Sequence, residues 1–283
     1  MACMSLPGLS MPLSSNPNLA SHASGSALRA GELLIRIHAA AVSGPRGLAL
    51  LAAGLPDSRS LTPAASRSGV AGIVEAVGDT PTGFGPGDEV FGVTVPRLLR
   101  PGTERAVLHA SRLAHKPRQL AFAQAATIPN PAVTAWQMLF EHGRLERGET
   151  VVILGADRPA GAFAVQLARA HGIRNVALAS SRHAPALRTL GADLVIDASP
   201  RVLEVACGHA AVVVDAGGGN ALPRALGALG SGSVLVSCVA RPEGSLLSAS
   251  KADFSLCTTD VTTARLARIA DLVERGLLAR LSL

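Results

Sequence analysis

The stretch "VVILGADRPAGAFAVQLARAHG", residues 151–172, decides the fold. It reads as an apolar strand, a short loop and a helix. The loop carries Gly155 and Gly161, with Arg158 and Pro159 between them. A loop of this kind binds a pyrophosphate for two reasons. The helix N-terminus presents free N–H groups and a partial positive charge, and glycines let the backbone turn tightly and approach the phosphate. Gly155 and Ala156 follow the strand, and Gly161 stands where close packing of helix on strand favours no side chain. Arg158, at the centre, brings a Cβ that crowds a pyrophosphate, and a positive φ would be unfavourable there. Pro159 suits the first turn of a helix but removes one N–H. Two readings stay open: a rebuilt loop in which the Arg158 guanidinium clamps the phosphate, or a surviving fold whose cofactor site has decayed.

Downstream, short apolar strands alternate with helical segments. Strands are predicted at 151–154, 175–180, 194–197, 211–215, 233–238 and 278–282, and helices at about 160–171, 184–190, 221–228 and 262–275. This alternation predicts an α/β fold, a Rossmann doubly wound parallel sheet of about six strands. After the second strand comes "SSRH", 180–183. A dinucleotide's adenosine ribose lands there, where an acid reads the 2′-hydroxyl of NAD and a basic residue accepts a 2′-phosphate. Ser180, Ser181 and Arg182 therefore favour NADPH; the alternative is a plain helix cap with Arg182 in solvent. "DAGGGN", 215–220, places Ala216 and Gly217 after the fourth strand, and Cys238 ends the fifth. These three are candidates to meet the cofactor, mainly through backbone.

Upstream, "GELLIRIHAAAVSG" (31–44), "GVAGIVEAVG" (69–78) and "GPGDEVFGVTVP" (85–96) read as strands and turns. Residues 121–150 are helical, interrupted by Pro129 and Pro131. The expected organisation is a disordered or loosely attached arm over 1–30, an all-β domain over 31–118 and the cofactor domain over 119–283. The chain has 283 residues and a formal charge of +6, and Lys116 and Lys251 are its only lysines. Its arginines are scattered and aromatics are 2% with no Tyr, which argues against nucleic-acid binding. No apolar run suits a membrane span. Cys3, Cys207, Cys238 and Cys257 lack zinc-ligand spacing, so no metal is expected and the chain reads as reduced and cytoplasmic. The histidines show no partner spacing.

The segments "GELLIRIHAAAVS", "GVAGIVEAVGD", "GDEVFG", "AATIPNPAVTAWQMLFEHGRLERGETVVILGA", "GAFAVQLARAHG" and "TLGADLVID" resemble, in order and spacing, the zinc-free quinone oxidoreductase branch of the medium-chain dehydrogenase/reductase superfamily, which includes zeta-crystallin and the polyketide enoyl reductases. The resemblance implies an N-terminal GroES-like β-domain and a Rossmann domain. It implies metal-independent hydride transfer from NADPH to a quinone, an enone or another activated alkene, a small-molecule substrate, and a homodimer. It places Thr134 of "TAW" near the nicotinamide, where the other reading is a buried helix threonine, and Ser43 at the substrate carbonyl, where the other reading is a turn residue. The departures are specific. The family loop reads G-A-x-G-G-V-G, the family Asn after its "AAGV" is Ser43 here, and its tyrosines have no counterpart. The family's closing β-domain segment would begin where this sequence ends, so the GroES-like domain is expected to be incomplete. These departures keep a second reading in view: a non-catalytic or cofactor-binding-only relative acting as a dimerising scaffold. The loop is also similar to the "GASRGIG" loop of short-chain dehydrogenases, whose chemistry needs a Tyr-x-x-x-Lys pair that a chain without Tyr cannot supply.

Overall fold

The computed structural model describes residues 2–5, 28–42, 68–79, 82–94, 104–197 and 199–279. The chain divides into two compact units, one of residues 1–130 with 261–274, the other of residues 131–260 with 275–283.

The first unit is built on an antiparallel sheet of β1 (Ala2–Ser5), β2 (Glu32–Val42), β3 (Ser68–Val77), β4 (Glu89–Thr94), β5 (Arg105–His109) and β6 (Leu113–His115). Strand β2 is its spine. It pairs with β3 along one edge and with β1 and β5 along the other. The alternation seen in the sequence turns Leu33, Ile35 and Ile37 into a core with Val70, Val74, Val90, Leu108 and Leu113. The sheet is the GroES-like part of the fold. The arm expected over 1–30 contributes β1, and residues 6–27 lie outside the described residues.

After β6 the chain turns into α1 (Phe122–Ala126), and Lys116 fixes that turn. Its Nζ donates to the Pro117 and Leu120 carbonyls at 3.1 and 2.6 Å and pairs with Glu89 at 2.9 Å. Pro129 then opens α2 (Pro129–Trp136) as its first residue, where a missing N–H costs nothing. A π-helical turn, Gln137–His142, follows directly. The first unit is completed from far downstream. The Val261 carbonyl accepts from Arg112 at 2.7 Å, the Val273 carbonyl accepts from Gln119 at 2.7 Å, and the Thr263 hydroxyl donates to the Ala110 carbonyl at 2.8 Å.

The second unit holds a parallel sheet in the order β12-β11-β10-β7-β8-β9. Its strands are β7 (Thr150–Leu154), β8 (Arg174–Leu178), β9 (Leu194–Ile196), β10 (Val212–Asp215), β11 (Val234–Ser237) and β12 (Asp253–Leu256). The crossovers are α3 (Pro159–Ala170), α4 (Ala184–Leu190), α5 (Pro200–Gly208), α6 (Ala221–Ala228) and α7 (Gly244–Ala249); α8 (Thr263–Glu274) follows β12 and belongs to the first unit. This is the Rossmann-type doubly wound sheet. Strand direction of travel reverses at β7, whose neighbours are β8 and β10, so the C-terminal ends of β7 and β10 form the switch point where such sheets take ligands. One face of the sheet packs Val152, Leu154, Leu178, Val213 and Leu235 against Leu203, Leu222 and Leu226. Helix α3 is buried from Gly161 to Ala168, as an element covered on all sides must be.

One expectation is corrected. The sixth strand is Asp253–Leu256, not 278–282. Leu278 is instead buried and the Ala279 N–H donates to the Gln166 side chain of α3 at 2.7 Å, while 280–283 lie outside the described residues. The sequence reading also passed over α5 and α7.

Candidate functional site

Strand β7 runs straight into the glycine loop. Gly155 takes φ +70°, a conformation that side chains resist. The Ala156 N–H donates to the Leu178 carbonyl at 3.1 Å, and the Arg158 N–H closes the turn on the Gly155 carbonyl at 2.9 Å. Arg158 itself is the N-cap of α3, with φ −87° and ψ 154°. The positive φ feared at this position is absent. A residue before proline is driven to extended backbone, and Pro159 at the first helical position sets the helix start one residue later. The Arg158 side chain is exposed. The first turn offers the Ala160 and Gly161 N–H groups at its open end.

Gly161 is where helix meets strand. A Cβ there would fall inside contact distance of the Gly155 carbonyl oxygen and 2.8 Å from the Ala156 Cα. Gly155 in turn faces the loop after β10: a Cβ on it would lie 2.6 Å from the Gly217 Cα. Only a pair of glycines lets these two backbones approach so closely. The cradle is thus formed by absent side chains, which is the geometry a pyrophosphate backbone site requires.

Asp215, wholly buried, holds the second loop in place. Its Oδ1 accepts from the Gly217 and Gly218 N–H groups at 3.1 and 2.7 Å, and its Oδ2 accepts from the Ser237 hydroxyl at 2.8 Å. The Ser237 Oγ accepts in turn from the Val239 and Ala240 N–H groups at 3.1 and 3.3 Å. The Ala216 N–H donates to the Leu154 carbonyl and the Cys238 N–H to the Asp215 carbonyl, both at 3.0 Å. One side chain therefore ties the loops at the ends of β10 and β11 together. The sequence reading singled out Ala216, Gly217 and Cys238 but missed Asp215 and Ser237. The usable signal was an acid ending a buried apolar strand, where burial demands several donors.

Burial, with the charge of Asp215, pushes the Cys238 thiol up to about 12, and burial alone does the same for Cys207. Neither is a nucleophile near neutrality, because the thiolate is the reactive form. In the folded protein at pH 8, iodoacetamide is expected to leave both unmodified, and 6 M urea to open both. Peptide mass spectrometry checks this.

At the end of β8, Ser180 stands at the N-cap of the 3-10 turn Ser181–His183, but its side chain makes no cap bond. Its Oγ lies 3.2 Å from His183 Nδ1, and the same nitrogen lies 3.2 Å from Asp157 Oδ2 in the glycine loop. Ser181 and Arg182 are exposed. The structure thus brings together the loop residues 155–161, the turn 180–183 and the loop 215–218, through contacts within one sheet. Thr134 belongs to a different contact set. It is buried in α2, with its Oγ1 2.6 Å from the Thr259 Oγ1, while one turn later the Gln137 Oε1 accepts from the Asp260 N–H at 2.9 Å. Ser43 lies outside the described residues. Among the described residues, no group of three or more His, Cys, Asp or Glu is placed to hold a metal ion. No helix among them is long and apolar enough to cross a membrane.

An antiparallel β-unit and a doubly wound parallel sheet with a glycine loop at its first strand define a Rossmann-type chain of the GroES-like kind. No family model matches the chain. A solved alcohol dehydrogenase superfamily protein from Novosphingobium aromaticivorans is 30% identical, with a TM-score of 0.76, over 88% of this chain and 81% of that one. The mitochondrial NAD(P)H oxidoreductase RTN4IP1 of Mus musculus is 36% identical over 132 residues, which are 45% of this chain and 33% of the relative. The quinone oxidoreductase of Homo sapiens is 33% identical over 144 residues, 50% of this chain and 42% of the relative. The chain thus matches between a third and a half of the length of these curated relatives. It belongs to the alcohol dehydrogenase, or medium-chain dehydrogenase/reductase, superfamily.

Proposed function

We propose that this chain binds NADPH and passes hydride to a quinone, an enone or another activated alkene, without a metal. The observation that carries the reading is the glycine loop. Arg158 and Pro159 replace two family glycines, yet the backbone keeps Gly155 at positive φ, packs Gly161 on Gly155 and starts α3 without strain at Arg158. The names of the relatives support the same class of chemistry.

The bound nicotinamide supplies the hydride, and the work of this chain is to bind and orient. The Ala160 and Gly161 N–H groups and the exposed Arg158 guanidinium suit a pyrophosphate. Arg182, exposed after β8 in a turn without an acid, suits a 2′-phosphate. The Gly217 backbone, held by Asp215, suits a cofactor lying across the switch point. Ser43 and Thr134 are proposed at the reacting end, Ser43 to polarise a substrate carbonyl and Thr134 beside the nicotinamide. In the homodimer and cytoplasmic setting proposed with this reading, the edge strand β12 is the pairing edge; its Leu256 is 45% exposed.

Calorimetry with NADPH and NADH tests the reading. Arg182→Ala is expected to weaken NADPH by about tenfold, on the order of 1.4 kcal/mol, and to leave NADH unchanged. Turnover of quinones and enones is then measured with the preferred nucleotide. A folded protein that binds neither nucleotide would instead support a scaffold role.

A further inference from the structure

The glycine loop carries a charge that its proposed role does not want. Asp157 lies between Gly155 and Gly161, and an acid beside a phosphate site repels the ligand. Its carboxylate does not point freely at that site. Oδ2 is 3.2 Å from His183 Nδ1, and both side chains are mostly covered, with 24% and 21% exposed. Ser180 closes the cluster, with its hydroxyl 3.2 Å from the same nitrogen. Since β7 and β8 are neighbouring parallel strands, a residue of the first loop is thereby delivered to the end of the second strand.

That place has a chemical meaning. A carboxylate at the end of the second strand accepts the 2′-hydroxyl of NADH and repels the 2′-phosphate of NADPH. The turn 180–183 contains no acid of its own. Asp157 would therefore serve as a hydroxyl-reading acid if its oxygens were free to face the ribose. One of them instead lies 3.2 Å from His183 Nδ1, and the carboxylate side chain is only 24% exposed.

We propose that His183 is a positioning residue that sets cofactor specificity: by holding Asp157 it withdraws a ribose-reading carboxylate and leaves the 2′-phosphate to Arg182. The proposal rests on the NADPH reading above. It assigns His183 no contact with the reacting atoms. Its effect passes through Asp157, so removing the carboxylate as well must cancel the loss of the ring.

The test is calorimetric binding of NADPH and NADH to the full chain and to His183→Ala, Asp157→Asn and the double variant. His183→Ala is expected to weaken NADPH by about tenfold while NADH is unchanged or tighter. Asp157→Asn is expected to bind NADPH at least as well as the parent, and the double variant to return to within about threefold of the parent. Opposite movement of the two nucleotides, with rescue by the second substitution, is a pattern that general loosening of the loop does not produce. Equal weakening of both nucleotides, no change at all, or failure of Asp157→Asn to rescue would overturn the proposal. So would a parent protein that prefers NADH. A parent that binds neither nucleotide overturns the NADPH reading itself, and the proposal with it. A variant that fails to fold is recognised by its thermal melt, and Asp157→Asn, which removes charge without volume, then decides alone: weaker NADPH binding by that variant overturns the proposal.

Discussion

Gly161→Ala is expected to be among the most damaging single-methyl changes in the molecule. The new Cβ would meet the Gly155 carbonyl and the Ala156 Cα, both backbone, so no side chain can rotate away. Helix α3 must lift from β7, and because the helix is buried from Gly161 to Ala168, the shift spreads through its whole contact surface. We expect a loss of about 3 kcal/mol, with a fall in melting temperature of roughly 6 to 12 °C. We also expect nucleotide binding to disappear, since the first turn of α3 moves with the helix. Gly244→Ala is the control. Nothing lies within 4 Å of a Cβ there and φ is not positive, so the change should stay within about 0.5 kcal/mol. If the two variants melt alike, helix–strand contact at Gly161 is not what the structure indicates.

Asp215→Ala should cost as much by the opposite route, leaving groups unpartnered rather than crowded. It removes the acceptor for the Gly217 and Gly218 N–H groups and for the Ser237 hydroxyl, in a position without solvent. The Ser237 hydroxyl is left buried and alone at a cost of about 1 to 3 kcal/mol, while water can reach the two glycine N–H groups, so a total of about 2 to 4 kcal/mol is expected in urea unfolding. The loss should be local as well as global. Amide exchange at Gly217 and Gly218, in the loop after β10, should accelerate well before that of β10 itself. Asp215→Asn should fall between, because its Oδ1 still serves the two glycines while its amide faces a Ser237 oxygen that already accepts two N–H groups. Unchanged exchange at the glycines in Asp215→Ala would show that the loop is held by something else.

Much of the second unit was legible in the residues because its central strands are buried on both faces and so read as apolar runs, such as "VVIL" and "AVVVD". Strand β12 was not legible. Its "DFSL" has two exposed and two half-buried residues, as suits a short edge strand, and gives no apolar run. The "LLARLSL" near the end of the chain alternates more convincingly, yet its described part is fastened to Gln166 instead. Helix α5 escaped because Val202 and Val205 are exposed, which blurs its apolar stripe. At the site, the glycines announced themselves through spacing alone. The backbone at Arg158 was legible too: the proline beside it implies the extended φ and ψ that the structure shows. The Asp157–His183 contact had no sequence signal. The two residues are far apart along the chain and meet because β8 pairs with β7, a fact of topology that no local pattern encodes.

The first unit has an order of completion imposed by its chain path. Its strands precede the parallel sheet along the chain, but residues 261–274, which meet Arg112, Gln119 and Ala110, are made only after every strand of the parallel sheet. During synthesis the antiparallel unit must therefore wait for residues 261–274, while all six strands of the parallel sheet already have their pairing partners. A ribosome stalled between β12 and α8 would hold a paired parallel sheet and an uncompleted antiparallel unit, so a chaperone that recognises unfinished sheets would find its client upstream of the parallel strands.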